Sequence, residues 1–215
     1  GVVKGIRDLG YPIAVHAWWG LQGGPVEIDN VMHYPAQLDT YGNDAAAHNC
    51  RRFKADLLIT LIDLWVLDPA LGSIGNVRWV PWFPIDSSNP IPTAIAARFP
   101  HAYRLLVYSR YAEREVKAYD GGKYAEKTRY IPHGIQTDVL RPCTPDEKIA
   151  FRWRYYADWP NDTFIVGMVA ANKGWPCRKS FPEALEAFVL FSADHPDARL
   201  YLHSVAGPQA QGPDL

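Results

Sequence analysis

The strongest constraint on this sequence is its alternation of short apolar runs with longer stretches of helical period. A chain needs that pattern to build a parallel sheet from βαβ units. The runs predict strands at Ile13–Ala17, Leu57–Leu61, Arg78–Val80, Leu105–Tyr108, Tyr130–Ile131, Phe164–Ala170 and Leu200–Leu202, with a weaker one at Val31–His33. Helical period predicts Asp44–Lys54, Thr93–Arg98, Arg110–Tyr119, Asp146–Tyr156 and Phe181–Ala193, and Val2–Leu9 reads as the end of another helix.

End signals sharpen two of these helices. Thr144-Pro-Asp-Glu147 and Ser180-Phe-Pro-Glu183 both have the S/T-x-x-E spacing in which hydroxyl and carboxylate satisfy each other's free amides. In the second, Phe181, Leu185 and Phe188 fall on one stripe that can face a sheet, and His195-Pro196 stops the helix. Phe164 to Leu202 therefore predicts one right-handed βαβ unit that opens a new domain. Before it, Pro132-His-Gly-Ile-Gln-Thr-Asp-Val-Leu-Arg-Pro142 fits neither period and reads as a linker. The expected organisation is a first α/β domain over 1–132, a linker over 133–142 and the start of a second domain over 143–215.

Composition narrows the class. The 215 residues carry 22 basic and 23 acidic side chains with 48% hydrophobic content, which excludes a disordered tail and gives no charge-based reason to expect nucleic acid or an anionic membrane. Cys50, Cys143 and Cys177 are odd in number and far apart, so neither a disulfide framework nor a zinc cluster is expected and a reducing, cytoplasmic setting fits. No run of about 18 apolar residues predicts a membrane span. Eight Trp and twelve Tyr include Trp18, Trp19, Trp65, Trp82, Trp159 and Trp175 near loops, where rings either stack on sugar faces or pack a Pro-rich chain. A start at Gly1, a loop-like end at 207–215 and a length of about one and a half domains lead us to expect a piece of something longer.

Several stretches, in order, resemble the group 1 (family four) glycosyltransferases. Tyr41-Gly42, then Ala55 to Asp63-Leu-Trp65, resembles their strand ending in Asp-x-Trp. Pro84-Ile-Asp86 and Val107-Tyr-Ser109 are similar to the next two strand ends. Tyr130-Ile-Pro-His133-Gly134-Ile resembles the interdomain I-P-H-G-I-D, with Gln136 where the family has Asp, and Leu140-Arg-Pro142 resembles F-x-P. Val166-Gly-Met-Val-Ala-Ala-Asn172 with Arg178-Lys179 resembles the opening of the donor domain, with Ala171-Asn172 in place of a common Gly-Arg pair. The resemblance implies a GT-B fold: a Rossmann-like parallel sheet lacking its first strand as the acceptor domain, then the first βαβ unit of a second Rossmann-like domain. It implies a nucleotide sugar as donor substrate, a glycan, lipid or protein acceptor, a retaining reaction and no metal or cofactor. The family's E-x7-E motif is absent, which is consistent with truncation and implies a fragment inactive by itself.

Each candidate residue has two readings. Arg178 and Lys179 stand just before a helix, where charge and free amides together can hold a departing diphosphate, or they are a solvated basic pair. Asn172 can donate to a phosphate or close a turn. A glycine at 134 permits positive φ and close approach to a ligand while His133 hydrogen-bonds across a cleft; alternatively the pair forms a hinge turn. Asp63 lies just past a strand, at the carboxyl edge where open α/β sheets bind ligands, and can orient an acceptor hydroxyl while Trp65 stacks on a sugar; it can equally be a helix cap. Asp86 follows its strand in the same way, Ser109 reads as a helix cap, and His16 as a core histidine. The other function class kept open is a non-catalytic carbohydrate-binding or scaffold protein; a sugar-nucleotide epimerase on the same fold is a third.

Overall fold

The computed structural model describes residues 2–86, 90–174, 176–205, 207 and 211–213; Trp175 of the loop aromatics lies outside them. Packing divides the chain into two compact units, Gly1–Leu140 and Arg141–Leu215. The first runs α1 (Val2–Asp8), β1 (Ala14–Ala17), β2 (Val26–Ile28), β3 (Val31–Pro35), α2 (Asn43–Phe53), β4 (Leu57–Leu61), β5 (Arg78–Phe83), α3 (Thr93–Ala96), β6 (Leu105–Val107), α4 (Arg110–Ala118) and β7 (Thr128–Tyr130), with short 3-10 turns between. The second runs α5 (Pro145–Tyr155), β8 (Phe164–Val169), α6 (Phe181–Asp194) and β9 (Ala198–His203).

The chain is α/β, and β4-β5-β6-β7 form a four-stranded, all-parallel sheet in chain order, compatible with a Rossmann-like domain. Right-handed crossovers between successive neighbours put all three connections on one face. The main core lies there. Leu58, Trp79, Phe83, Leu105 and Val107 pack against Leu64, Leu71, Phe99 and Val116 from the connections. The opposite face presents Leu57, Ile59 and Leu61 of β4 beside Val80, Trp82 and Leu106 in register. There Leu57, Ile59 and Leu61 stay 47%, 40% and 48% exposed, although parallel sheets are usually covered on both faces.

Three expectations are corrected. The first is a single parallel sheet through the first domain: β1 and β3 instead belong to a separate three-stranded sheet, order β1-β3-β2, with β2 antiparallel. The unforeseen β2 pairs with β3 across Asp29-Asn30, both at positive φ (51° and 58°), the conformation of a tight hairpin. The second is the end of β5, which runs through Pro81 to Phe83. The ladder to β6 begins only at Trp82, so the proline withholds no bond from that side.

The third concerns capping. Thr144 forms the expected box with Glu147, in extended backbone. Ser180 does not: its φ of 53° is left-handed, and its hydroxyl makes no cap bond. β8 and β9 pair in parallel over six residues around α6, which buries Phe181 on the stripe read from the sequence.

Candidate functional site

Four parallel neighbours end at one sheet edge, and the residues just beyond them are titratable or aromatic. Asp63 follows β4, Asp86 follows β5, Tyr108 follows β6 and His133 follows β7. This is the carboxyl edge, where open α/β sheets bind their ligands.

The loop bearing Asp63 and Trp65 is held from both sides. Asn43, at the start of α2, donates from Nδ2 to the Val66 carbonyl at 3.1 Å and accepts the Asp68 amide at 2.8 Å. Arg98 donates to the carbonyls of Trp65 at 3.1 Å and Leu67 at 2.9 Å. Both carbonyls are thereby satisfied and the loop's backbone is fixed. Asp63 occupies the cap position of the 3-10 turn Leu64–Val66, yet its carboxylate makes no cap bond and, among the described residues, no ion pair. It is exposed, as is the Trp65 indole at 53%.

His133 lies against two rings. Tyr108 is 4.1 Å away between centroids, and Trp82 meets it edge-on at 4.9 Å. Trp82 is itself fixed by an indole N–H donated to the Ile131 carbonyl at 2.9 Å. Burial pushes the Tyr108 phenol up from its ordinary value, and the charges of Asp63 and Asp86 push it further in the same direction. Both carboxylates therefore act on the phenol, which stays a hydrogen-bond donor at neutral pH. Gly134 corrects another expectation, because its φ is not in the left-handed region and a Cβ there meets no atom within 4 Å. Gly134 instead lines a cavity of about 440 Å³ on the second face of the sheet, with Trp82 and Ile59.

The sequence-predicted phosphate group lies in the second unit. Arg178 and Lys179 are exposed in the turn before α6, and among the described residues neither makes an ion pair or a side-chain hydrogen bond. With Ser180 not capping and Pro182 lacking an N–H, the start of the 14-residue α6 has only the Phe181 and Glu183 amides, neither with a side-chain cap. Asn172 is 4% exposed, and its amide donates to the Val205 and Pro213 carbonyls at 3.2 and 2.7 Å. Its Oδ1 has no partner among the described residues. The group that would meet a phosphate is thus already engaged, while the free atom is an acceptor.

Sequence reasoning missed Tyr108, Asn43 and Arg98. Only the position of Tyr108 between a strand end and the Ser109 cap pointed to it; Asn43 and Arg98 act on backbone distant in sequence. His16 is structural as expected, bonded at both ring nitrogens to Gly42 and Asn49. Among the described residues no group of three His, Cys, Asp or Glu could hold a metal, and no helix is long and apolar enough to cross a membrane.

Chemically, the edge offers two carboxylates that make no ion pair among the described residues, a phenol as donor and an exposed indole. Those groups suit a polyhydroxylated ligand. A comparison with protein-family models finds no match, and none is found among curated proteins.

Proposed function

We propose that the protein is a glycosyltransferase of GT-B type that moves a sugar from a nucleotide sugar to a glycan, lipid or protein acceptor in the cytoplasm. The observation that carries this reading is the convergence of Asp63, Asp86, Tyr108 and His133 at the ends of four adjacent parallel strands. In it, Asp63 orients the acceptor hydroxyl, Asp86 and Tyr108 hold neighbouring hydroxyls, and Trp65 stacks on a sugar face. Arg178 and Lys179, with the open amides of α6, take the diphosphate. The acceptor oxygen bonds to the anomeric carbon on the face from which the diphosphate leaves, and a departing phosphate oxygen takes the hydroxyl proton. Retention follows without a protein nucleophile or a metal.

Calorimetric titration with a panel of nucleoside-diphosphate sugars tests this. At least one should bind, and the double substitution R178A/K179A should weaken it at least tenfold. A glycan that binds while no nucleotide sugar does would instead establish a non-catalytic carbohydrate-binding protein.

A further inference from the structure

The strands that end at the carboxyl edge begin at an edge of opposite character. Arg78 is the first residue of β5, Arg104 immediately precedes β6 and Lys127 immediately precedes β7. Because the sheet is parallel, all three lie at its amino edge. β5 runs from Arg78 to Phe83, which at roughly 3.3 Å per residue puts about 17 Å between this edge and the one bearing Asp63 and Asp86.

Two tyrosine rings organise the cations. The guanidinium carbons of Arg78 and Arg104 each lie 4.8 Å from the centre of the exposed Tyr103 ring, so they are within twice that distance of each other. The Tyr103 amide donates to the Trp79 carbonyl at 2.8 Å, which fixes this residue beside the start of β5. The buried Tyr124 ring carries Lys123 at 5.6 Å and Lys127 at 5.2 Å. Burial lowers the Lys127 ammonium below its ordinary value, and the charges of Arg104 and Lys123 lower it further. The two ring groups therefore act on one another.

The lysines of this cluster are already engaged. Lys127 donates to the Phe99 and Ala102 carbonyls, and Lys123 pairs with Asp120 at 3.3 Å. Arg78 and Arg104 are not. Among the described residues their guanidiniums make no hydrogen bond and no ion pair, although Asp56 and Glu126 stand at the same edge. Ring contact alone holds two like charges together here, with every guanidinium N–H available. An anion removes their repulsion, and each planar fork matches two phosphate oxygens at once. With Arg78, Arg104 and Lys127 all uncompensated, the fitting ligand concentrates several negative charges in a small volume, as two linked phosphates do. The patch spans three neighbouring strands, about 10 Å, in a chain of net charge −1. Nucleic acid and anionic membranes are instead held by long basic stripes and steered by long-range charge.

We infer that the amino edge of the β4–β7 sheet is a second anion site, in which the Arg78 and Arg104 forks hold a compact ligand bearing two linked phosphate groups. It stands apart from the proposed reaction at the carboxyl edge and requires no sugar.

The probe is inorganic pyrophosphate, titrated calorimetrically into the full chain carrying R178A/K179A. That background removes the diphosphate contact of the proposed reaction, so failure of that reading leaves this result untouched. One pyrophosphate should bind per chain, about tenfold more tightly than inorganic phosphate, and R78Q/R104Q should weaken it by about tenfold or more. R78K/R104K keeps the charge and most of the bulk but loses the fork, so it should weaken binding even if the glutamine variant fails to fold. The inference is overturned if pyrophosphate binds no more tightly than phosphate, or if either substituted chain keeps the full affinity. It is also overturned if a single-stranded oligothymidylate or phosphatidylglycerol vesicles bind through these arginines while pyrophosphate does not, since a polymer or a lipid surface would then be the partner.

Discussion

His16 is held at both ring nitrogens, and the partners fix its charge. Nε2 lies 2.9 Å from the Gly42 carbonyl, which can only accept, so Nε2 carries the hydrogen. Nδ1 then accepts from the Asn49 amide at 2.9 Å, an amide whose orientation is set by its second bond to the Pro35 carbonyl. A proton added to Nδ1 would face that donor. Burial pushes the imidazole below its ordinary value, with the Gly42 carbonyl and the charge of Asp44 opposing more weakly. A lowered folded value means the unfolded chain binds the proton first. Stability is therefore fully present above about pH 6.5 and is lost as pH falls through the lower folded value. Thermal melts should show the melting temperature falling below about pH 6.5, and His16→Gln should flatten that slope. Gly42 belongs to the same unit: its φ is 74°, and a Cβ would run into the imidazole. Gly42→Ala should cost about 2 kcal/mol in denaturant unfolding, from the left-handed backbone together with the displaced ring. At this scale the candidate site was partly legible. Asp63, Asp86 and His133 announce themselves by following apolar runs. Tyr108 does not, since its importance comes from rings and carboxylates on three other strand ends. The engagement of Asn172 with Val205 and Pro213 could not be read either, because those partners lie 33 and 41 residues away.

Helices were the most legible elements and their caps show why. Thr144 and Glu147 satisfy each other's local groups and Pro145 suits the first turn, so four adjacent letters suffice to place the start of α5. Arg141 adds a two-pronged contact to Glu147, at 2.8 and 2.7 Å. Arg141 and the Thr144 amide together hold the Glu147 carboxyl down at about 2, from an ordinary 4.5. The contribution is therefore present above about pH 4.5 and disappears as pH falls towards 2. Amide NMR should report fraying of the first turn of α5 across that window, and Glu147→Gln should fray it at neutral pH. The same four-residue spacing fails at Ser180, whose backbone is left-handed at a φ of 53°; spacing alone does not encode that. Strands were legible in position but not in partnership. Leu57–Leu61 announces a strand by composition, whereas the separation of β1 and β3 from β4 depends on pairing between residues remote in sequence. The Asp29-Asn30 pair carried a hairpin signal in two residues tolerant of positive φ, and β2 was recoverable from it.

Across the whole molecule, burial is distributed unevenly, and that sets what opens first. The first unit contains a continuous core in which Trp79, Phe83, Phe99, Leu105 and Val116 are 1% exposed or less. In the second unit, among the described residues, only Phe181 and Ala198 are buried apolar side chains, while Phe151, Trp153, Phe164, Val169, Val189 and Leu190 are exposed. Its sheet has two strands, and a two-stranded sheet with so small a buried face is marginal in water. Local opening free energy follows burial, so the two units should not unfold together. Hydrogen exchange should find the slowest amides in β5, β6 and α4, and much faster exchange in β8, β9 and α6. Phe83→Ala, a core truncation costing about 3–5 kcal/mol, should speed exchange throughout the first unit and leave the second unchanged. Equal protection in both units would mean that the exposed apolar faces of α5 and α6 are covered in solution, which a concentration series by light scattering would then show as self-association.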